Sequence, residues 1–254
     1  MYTSEEASLQ PLHLQDIHRY VERLLFHPVL QDEKVTPVVS SLQVFLGSLV
    51  LSQTELSIAV KKRIIAAMVL MYHGLDLHES IHNTEHKQTK RGQLTILGGA
   101  WLSSLFYRLL AEAERIDLIS IFSEAVSRIN EAKSSLVALS NERKSDDSSY
   151  LKLSKTIQGG LAFALTKTFV QDHRIVDFVE QAILADVYDR ELIELESQHR
   201  SASSSKVYQN FFDTIAHLQT LCIDLFDHEA WRSVKTFFLH AQDPLLVQRV
   251  VEGG

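Results

Sequence analysis

The stretch TILGGAWLSSLFYRLLAEAE, residues 95–114, indicates the fold class of this chain. Its apolar residues recur at helical spacing around much of the circumference, which predicts a central helix. The pair Gly98-Gly99 costs a helix about 1 kcal/mol per residue relative to alanine, so we expect it to admit a close neighbouring helix. No proline occurs from Val38 to Asp243, and a proline-free run of this length is typical of consecutive helices.

Apolar periodicity along the rest of the chain extends this pattern. It predicts an all-α fold of about nine or ten helices with no strand. Neither an internal repeat nor a long linker is present, so we expect a single domain over residues 1–254. We expect polar connections at residues 52–55, with Thr54 as an N-cap, and at residues 84–92, 144–149 and 201–205. The expected helices cover residues 14–27, 37–51, 55–83, 95–114, 116–139, 150–170, 174–198, 207–226 and 229–240, and Pro244 opens a short last one.

Composition excludes several classes of protein. Of 254 residues, 45% are hydrophobic and 22% charged, which is too apolar for a disordered chain. The net charge of −7 argues against a nucleic-acid-binding protein. We expect no signal peptide and no membrane span, because the longest apolar stretches are interrupted well short of the roughly 18–20 residues that a span requires. The single cysteine, Cys222, lies between apolar residues and is expected to be buried. Together these features predict a cytoplasmic protein.

One string matches a metal-binding motif. His78-Glu79-Ser80-Ile81-His82 has the form H-E-x-x-H, in which two histidines one helical turn apart bind zinc and the glutamate acts as a general base. The extended H-x-x-G-x-x-H pattern is absent, and nothing in the sequence selects a third ligand. A zinc metallopeptidase using His78 and His82 is therefore the alternative hypothesis for this chain.

Acidic residues also gather in the second half of the chain. Asp186, Asp189 and Glu191 lie in the middle of a predicted helix and could line a polar seam. Pairing of these carboxylates with Arg190 is the simpler interpretation. The sequence contains no P-loop, no G-x-G-x-x-G, no G-x-S-x-G and no C-x-x-C motif, so it offers no complete catalytic set.

Two segments together resemble a known family. LMYHGLDLHE, residues 70–79, and KRGQLTILGGAW, residues 90–101, are similar to the region around the first aspartate-rich motif of trans-polyprenyl diphosphate synthases. In that family L-x-H-D-D-x-x-D ends a helix, a loop carries R-R-G-x-P-T, and the next helix opens with V-L-A-G-D. The likeness is strongest to heptaprenyl diphosphate synthase component 1, whose V-N-E-H-K string resembles INEAK at residues 129–133.

The differences from the catalytic pattern matter for function. If His78 aligns with the family histidine, Glu79 and Ser80 replace the two aspartates that follow it, and Asp76 precedes this degenerate motif. Ala100 replaces the aspartate of A-G-D, and no second D-D-x-x-D motif follows. In catalytic relatives these carboxylates hold Mg²⁺ that polarises the leaving diphosphate. The resemblance therefore implies that this chain carries no catalytic residue and binds no metal of its own.

What the resemblance implies instead is a regulatory subunit with remnants of a diphosphate site. Arg91 resembles the basic R-R-G string, and Lys155-Thr156 resembles the family's K-T pair, so these residues are possible diphosphate contacts. The implied partner is a catalytic polyprenyl diphosphate synthase subunit that holds Mg²⁺ and isoprenoid diphosphates in a heterodimer. The implied reaction is chain elongation from farnesyl and isopentenyl diphosphates for the menaquinone side chain. Homodimers are possible for the isolated chain.

Overall fold

The computed structural model describes residues 13–80, 89–139, 148–197 and 201–242. Every regular element within these residues is a helix, so the all-α prediction is confirmed. The α-helices are α1 Leu14–Leu25, α2 Pro28–Asp32, α3 Ser41–Ser52, α4 Ile58–Glu79, α5 Lys90–Glu112, α6 Asp117–Ala138, α7 Ser148–Phe169, α8 His173–Ser197, α9 Ser201–Leu225 and α10 His228–Val234. Two short 3₁₀ helices follow, at Lys235–Phe237 and His240–Gln242.

Hydroxyl side chains define the starts of three helices. Ser40, Ser57 and Thr89 accept hydrogen bonds from the backbone N–H three residues later, at the N-termini of α3, α4 and α5. Thr54, which the sequence predicts as the cap of α4, instead donates to the carbonyl of Leu51 at 2.8 Å and closes the end of α3. The predicted cap was wrong because Ser57 lies three residues nearer to the first apolar turn of α4.

Other helix boundaries also differ from the sequence predictions. Pro28, not Pro37, occupies a first helical turn, in the short helix α2. Residues 90–92 and 201–205, predicted as connections, are the first turns of α5 and α9. Hydrophilic composition suggested loops there, whereas a first helical turn also tolerates polar residues. The predicted short helix after Pro244 and most of the predicted 144–149 connection lie outside the described residues.

The chain divides into two compact units, Met1–Phe122 and Ser123–Gly254. The prediction of a single domain over residues 1–254 stays a prediction. In the first unit, α4 packs along α5, while α1 and α3 contact α4. The core of this unit is mainly apolar, with Ile64, Ile65, Met68 and Phe106 almost fully removed from solvent.

Helix α5 is the exception to the expectation that no apolar stretch could span a membrane. By length and composition alone it could cross a bilayer, and 44% of its most apolar stretch is buried inside the structure. A helix at the centre of a protein core has the same composition. Its extensive contact with α4 accounts for the buried part of its apolar surface.

The second unit is built around α8, which packs against α7 and α9. Two glycines let α7 approach both of its neighbours closely. A Cβ on Gly159 would lie 2.8 Å from Cγ2 of Ile183 on α8, and a Cβ on Gly160 would lie 2.8 Å from Cγ1 of Ile129 on α6. Cys222 of α9 is fully buried, as predicted, and burial raises the pKa of its thiol to about 11.

We expect Phe178→Ala to destabilise the protein by about 3–5 kcal/mol, because Phe178 is fully buried in the second unit and the substitution leaves a cavity. Phe226, which meets Phe178 edge to face at 6.1 Å between ring centroids, is 43% exposed and provides the matched control. Phe226→Ala should cost less than half as much. Urea unfolding of both variants measures the difference, and equal losses would contradict the assigned core.

Candidate functional site

The candidate site begins where α4 and α5 cross. A Cβ on Gly74 of α4 would lie 3.3 Å from the carbonyl oxygen of Gly99 and 3.6 Å from Cβ of Leu102, both on α5. A Cβ on Gly98 would lie 3.3 Å from Cδ1 of Leu77. The predicted role of the Gly98-Gly99 pair in close helix contact is therefore confirmed, with Gly74 as a third small residue.

The imidazole of His78 lies directly on this crossing. A Cβ on Gly99 would lie 2.7 Å from Nε2 and 2.8 Å from Cε1 of His78, closer than real Cβ contacts allow. The ring thus covers the α5 backbone where a side chain would stand, while the residue as a whole is exposed. Glycine at position 99 is the feature that lets His78 occupy this place.

The other residues of the degenerate motif occupy the last turn of α4. Asp76 and Glu79 are half-buried and lie three residues apart, so they share one side of the helix. The hydroxyl of Ser80 donates to the carbonyl of Leu77 at 2.8 Å and satisfies one of the last carbonyls of the helix. Within the described residues no group of three or more His, Cys, Asp or Glu side chains could hold a metal ion.

A cavity of about 270 Å³ lies beside this turn in the first unit. It brings Ser80 together with Arg91, two residues that the sequence singles out, whereas Asp76, His78 and Glu79 do not line it. The cavity is bounded by Lys34, Val35, Leu77, Ser80, Thr89, Arg91, Gly92 and Thr95. The described residues of its lining include two cationic side chains and no carboxylate, so it suits an anion.

The cavity opens at the N-terminus of α5, where the helix dipole is positive. Lys90 and Arg91 occupy this first turn, although acidic side chains are the favourable ones there. Lys90 is compensated by Glu33 at 2.5 Å, and this hydrogen bond raises the pKa of Lys90. Among the described residues no carboxylate forms an ion pair with Arg91. Two cations at a positive helix end are a local cost that an anionic ligand would offset.

Lys155 and Thr156 belong to α7 in the second unit. Nζ of Lys155 contacts Glu180 of α8 at 3.3 Å, and the hydroxyl of Thr156 donates to the carbonyl of Lys152 at 2.9 Å. Both side chains therefore already have partners within their own unit. Their predicted contact with a diphosphate stays a prediction.

Of the two zinc ligands in the alternative hypothesis, the structure describes only His78. His78 rests against Gly99, but His82, the second predicted ligand, lies outside the described residues. A zinc site at His78 and His82 stays a prediction. Among the acidic residues in the second half of the chain, Asp186 pairs with Arg190 at 2.8 Å, as the sequence predicts. Asp189 instead accepts a hydrogen bond from the backbone N–H of His240.

Sequence reasoning missed three polar residues that line the cavity, Lys34, Thr89 and Thr95. Thr89 could have been found, because a threonine directly before a helical segment is a preferred N-cap. Thr95 is buried and donates to the carbonyl of Arg91 at 2.8 Å, a helical contact without a sequence motif. Lys34 reaches the cavity from the turn after α2, where its φ of 54° is left-handed. No sequence pattern placed that turn near α5.

The helical architecture, with the modified motif at the end of α4 and basic residues opening α5, defines a protein of the prenyl diphosphate synthase fold. A solved structure titled "Mint deletion mutant of heterotetrameric geranyl pyrophosphate synthase in complex with ligands" has this fold. It superposes with a TM-score of 0.51 over 91% of this chain and 97% of its own, at 14% identity. The chain belongs to the family "Heptaprenyl diphosphate synthase (HEPPP synthase) subunit 1", whose model matches residues 27–242.

A relative found by sequence similarity has a name that matches this family. Heptaprenyl diphosphate synthase component 1 of Geobacillus stearothermophilus is 39% identical over 82 residues, which are 32% of this chain. The matching stretch spans 37% of the length of that relative. The resemblance to this family inferred from residues 70–79 and 90–101 is confirmed.

We expect Gly99→Ala to change the free energy of unfolding by less than about 1 kcal/mol. The exposed ring of His78 can rotate away, and alanine gains up to about 1 kcal/mol in helix propensity. Gly74→Ala is the matched comparison: its Cβ meets the backbone oxygen of Gly99, which cannot rotate away, so we expect a loss of about 1–3 kcal/mol.

A double-mutant cycle with His78→Ala separates the two glycines. Denaturant unfolding should show coupling between His78 and Gly99 but none between His78 and Gly74. A coupling free energy between His78 and both glycines, or between His78 and neither glycine, would contradict the conclusion that the His78 ring lies on Gly99.

Proposed function

We propose that this chain is the regulatory, non-catalytic subunit of a heteromeric heptaprenyl diphosphate synthase. In this proposal it acts in the cytoplasm, in menaquinone side-chain synthesis. The catalytic partner elongates farnesyl diphosphate with isopentenyl diphosphate. The observation that carries the proposal is the end of α4, where Glu79 and Ser80 follow His78, so that they replace the two aspartates of catalytic relatives when His78 is aligned with the family histidine.

Chemistry supports a non-catalytic role. Departure of an allylic diphosphate leaves several negative charges that Mg²⁺ neutralises when carboxylates hold it in place. The described residues do not fit such a clamp. Asp76 and Glu79 are the carboxylates of this turn, Ser80 contributes only a hydroxyl that already bonds the helix backbone, and the described lining of the cavity includes no acidic side chain. In this proposal the partner subunit holds the Mg²⁺.

The surface of α5 supports an assembly with another subunit. Leu97 is 62% exposed, and Ile96 and Tyr107 of the same helix are also exposed. Leaving an apolar surface of this kind in water costs free energy, and a partner that covers it would recover that energy. Tyr107 is accessible to such a partner, whereas its neighbour Phe106 is buried in the first unit and serves the core.

We also propose that the cavity at the start of α5 retains contact with a diphosphate group. Arg91 and Lys34 supply positive charge, and the first turn of α5 adds the positive end of the helix dipole. In this proposal the cavity binds the diphosphate without activating it, because no metal clamp accompanies these cations. Binding here would keep the subunit responsive to isoprenoid diphosphates.

Prenyl transfer should require both subunits. We expect no product from this chain with farnesyl diphosphate, isopentenyl diphosphate and Mg²⁺, little from the catalytic subunit alone, and activity from the mixture. Radiolabelled isopentenyl diphosphate measures all three. Product from this chain alone would show that the replaced aspartates are dispensable and would overturn the proposed role. Failure of the mixture, with a folded partner, would overturn the pairing and direct attention to zinc content and its loss in His78→Ala.

Diphosphate binding should depend on Arg91. We expect Arg91→Gln to weaken binding of inorganic pyrophosphate by about 10- to 100-fold, the effect of losing one charged hydrogen bond. Arg108→Gln is the control, because Arg108 is on the same helix but pairs with Glu112 at 3.5 Å away from the cavity. Isothermal titration calorimetry measures both variants. Equal affinities for wild type and Arg91→Gln would exclude the cavity as the diphosphate site.

A further inference from the structure

The end of the described chain is attached to the second unit by one buried carboxylate. Asp189 of α8 accepts the backbone N–H groups of Leu239 and His240, each at 2.9 Å, and Nδ1 of His240 at 2.8 Å. We name residues 238–241 the C-terminal strap. Three of its four residues are buried, Phe238, His240 and Ala241, so the strap is part of the packed structure.

The imidazole of His240 lies between two carboxylates. Its Nδ1 contacts Asp189, and its Nε2 contacts Oε1 of Glu196 at 3.2 Å. An ionised carboxylate only accepts hydrogen bonds, so both ring nitrogens must carry a proton to satisfy both contacts. That condition is met by the imidazolium cation and not by neutral histidine. Asp189, Glu196 and the bound histidine therefore form a charge-assisted set.

The surroundings of this set come from two helices. Helix α8 supplies Asp189 and Glu196, and α9 supplies Tyr208, whose hydroxyl donates to Oε1 of Glu196. The rings of Tyr208 and Phe211 meet the imidazole edge to face, with centroids 5.9 Å and 6.1 Å away. Among the described residues, Asp189 and Glu196 are the charged groups in contact with His240, and Tyr208 is the other titratable one.

We propose that His240 is a proton-dependent clasp that holds the C-terminal strap on α8 while the imidazole is charged and releases it when the imidazole becomes neutral. Loss of the proton on Nε2 turns an attractive contact with Glu196 into one between a nitrogen lone pair and a carboxylate. It also leaves Asp189 and Glu196 as two uncompensated negative charges beside a buried ring. The hydrogen bonds to Asp189 that remain, from the backbone N–H groups of Leu239 and His240 and from Nδ1, lack the charge of the cation, so they hold the strap too weakly to keep it closed.

The direction of the pH dependence follows from the titration of these groups. The hydrogen bond to Asp189, followed by the other interactions with Asp189 and Glu196, raises the pKa of His240 despite its burial. The stabilisation is therefore complete below the pKa of an unfolded histidine and is lost as the pH rises through the higher folded value. Hydrogen bonds from Tyr208 and His240 lower the pKa of Glu196, so acid opens the clasp only below the usual carboxylate range.

Hydrogen exchange of the full chain tests the clasp at two amides. The protection factors of the Leu239 and His240 amides should fall as the pH rises from about 6.5, the pKa of an unfolded histidine, through the higher folded value, by about tenfold for each unit by which folding raises the pKa of His240. The amide of Phe226, which donates to the carbonyl of Cys222 at 2.9 Å in the same unit, provides the internal reference. A constant ratio of strap to reference protection across this range would overturn the proposal.

Three variants make the test specific. Glu196→Gln removes one of the two charges and should move the transition to lower pH, and the 53% exposure of the Glu196 side chain makes this variant compatible with folding. His240→Gln should leave low strap protection without a transition. His217→Gln, an exposed histidine of α9, should behave as wild type. A transition unchanged in Glu196→Gln, or absent in His217→Gln, would assign the pH dependence to another group and refute the clasp.

Discussion

The contact between the backbones of α4 and α5 is the constraint on which the candidate site depends. Gly74 approaches the carbonyl of Gly99 closely enough that an added methyl group would meet the main chain itself. Helices that touch at this distance cannot slide or rotate without losing dispersion contacts along their whole length. The crossing therefore fixes where the last turn of α4 ends and where the first turn of α5 begins.

Two helix ends of opposite character face the same cavity as a result. Leu77 and Ser80 come from the carboxyl end of α4, and Thr89, Arg91 and Gly92 come from the amino end of α5. The carboxyl end carries partial negative charge and the amino end partial positive charge. In a catalytic relative the aspartates would increase the negative side of this pair. Within the part of the chain that the structure describes, the cavity lining is basic and carries no carboxylate, and in the proposed function it holds an anion without activating it.

The sequence alone was sufficient to predict the helical fold but not the set of residues that form the candidate site. Apolar periodicity and the absence of proline predicted the all-α fold, and the glycine pair predicted a close contact, because both depend on local residue type. Polar first turns such as residues 90–92 were mistaken for connections, since composition alone does not distinguish a loop from a capped helix start. Glu33 pairs with Lys90 across 57 positions and Asp189 binds His240 across 51, and no spacing rule connects these residues. Lys34, next to Glu33, likewise reaches the cavity only through the tertiary fold.

The buried thiol of Cys222 has a practical consequence. The reactive form of cysteine is the thiolate, and a thiol with a pKa of about 11 is almost entirely protonated at neutral pH. Because this is also the sole cysteine of the chain, thiol-selective reagents can modify the protein at one position only, and only when α9 separates from its neighbours. The sequence thus contains its own single-site reporter. The rate of labelling in dilute reagent measures the population of the second unit that is open at equilibrium, without any engineered label.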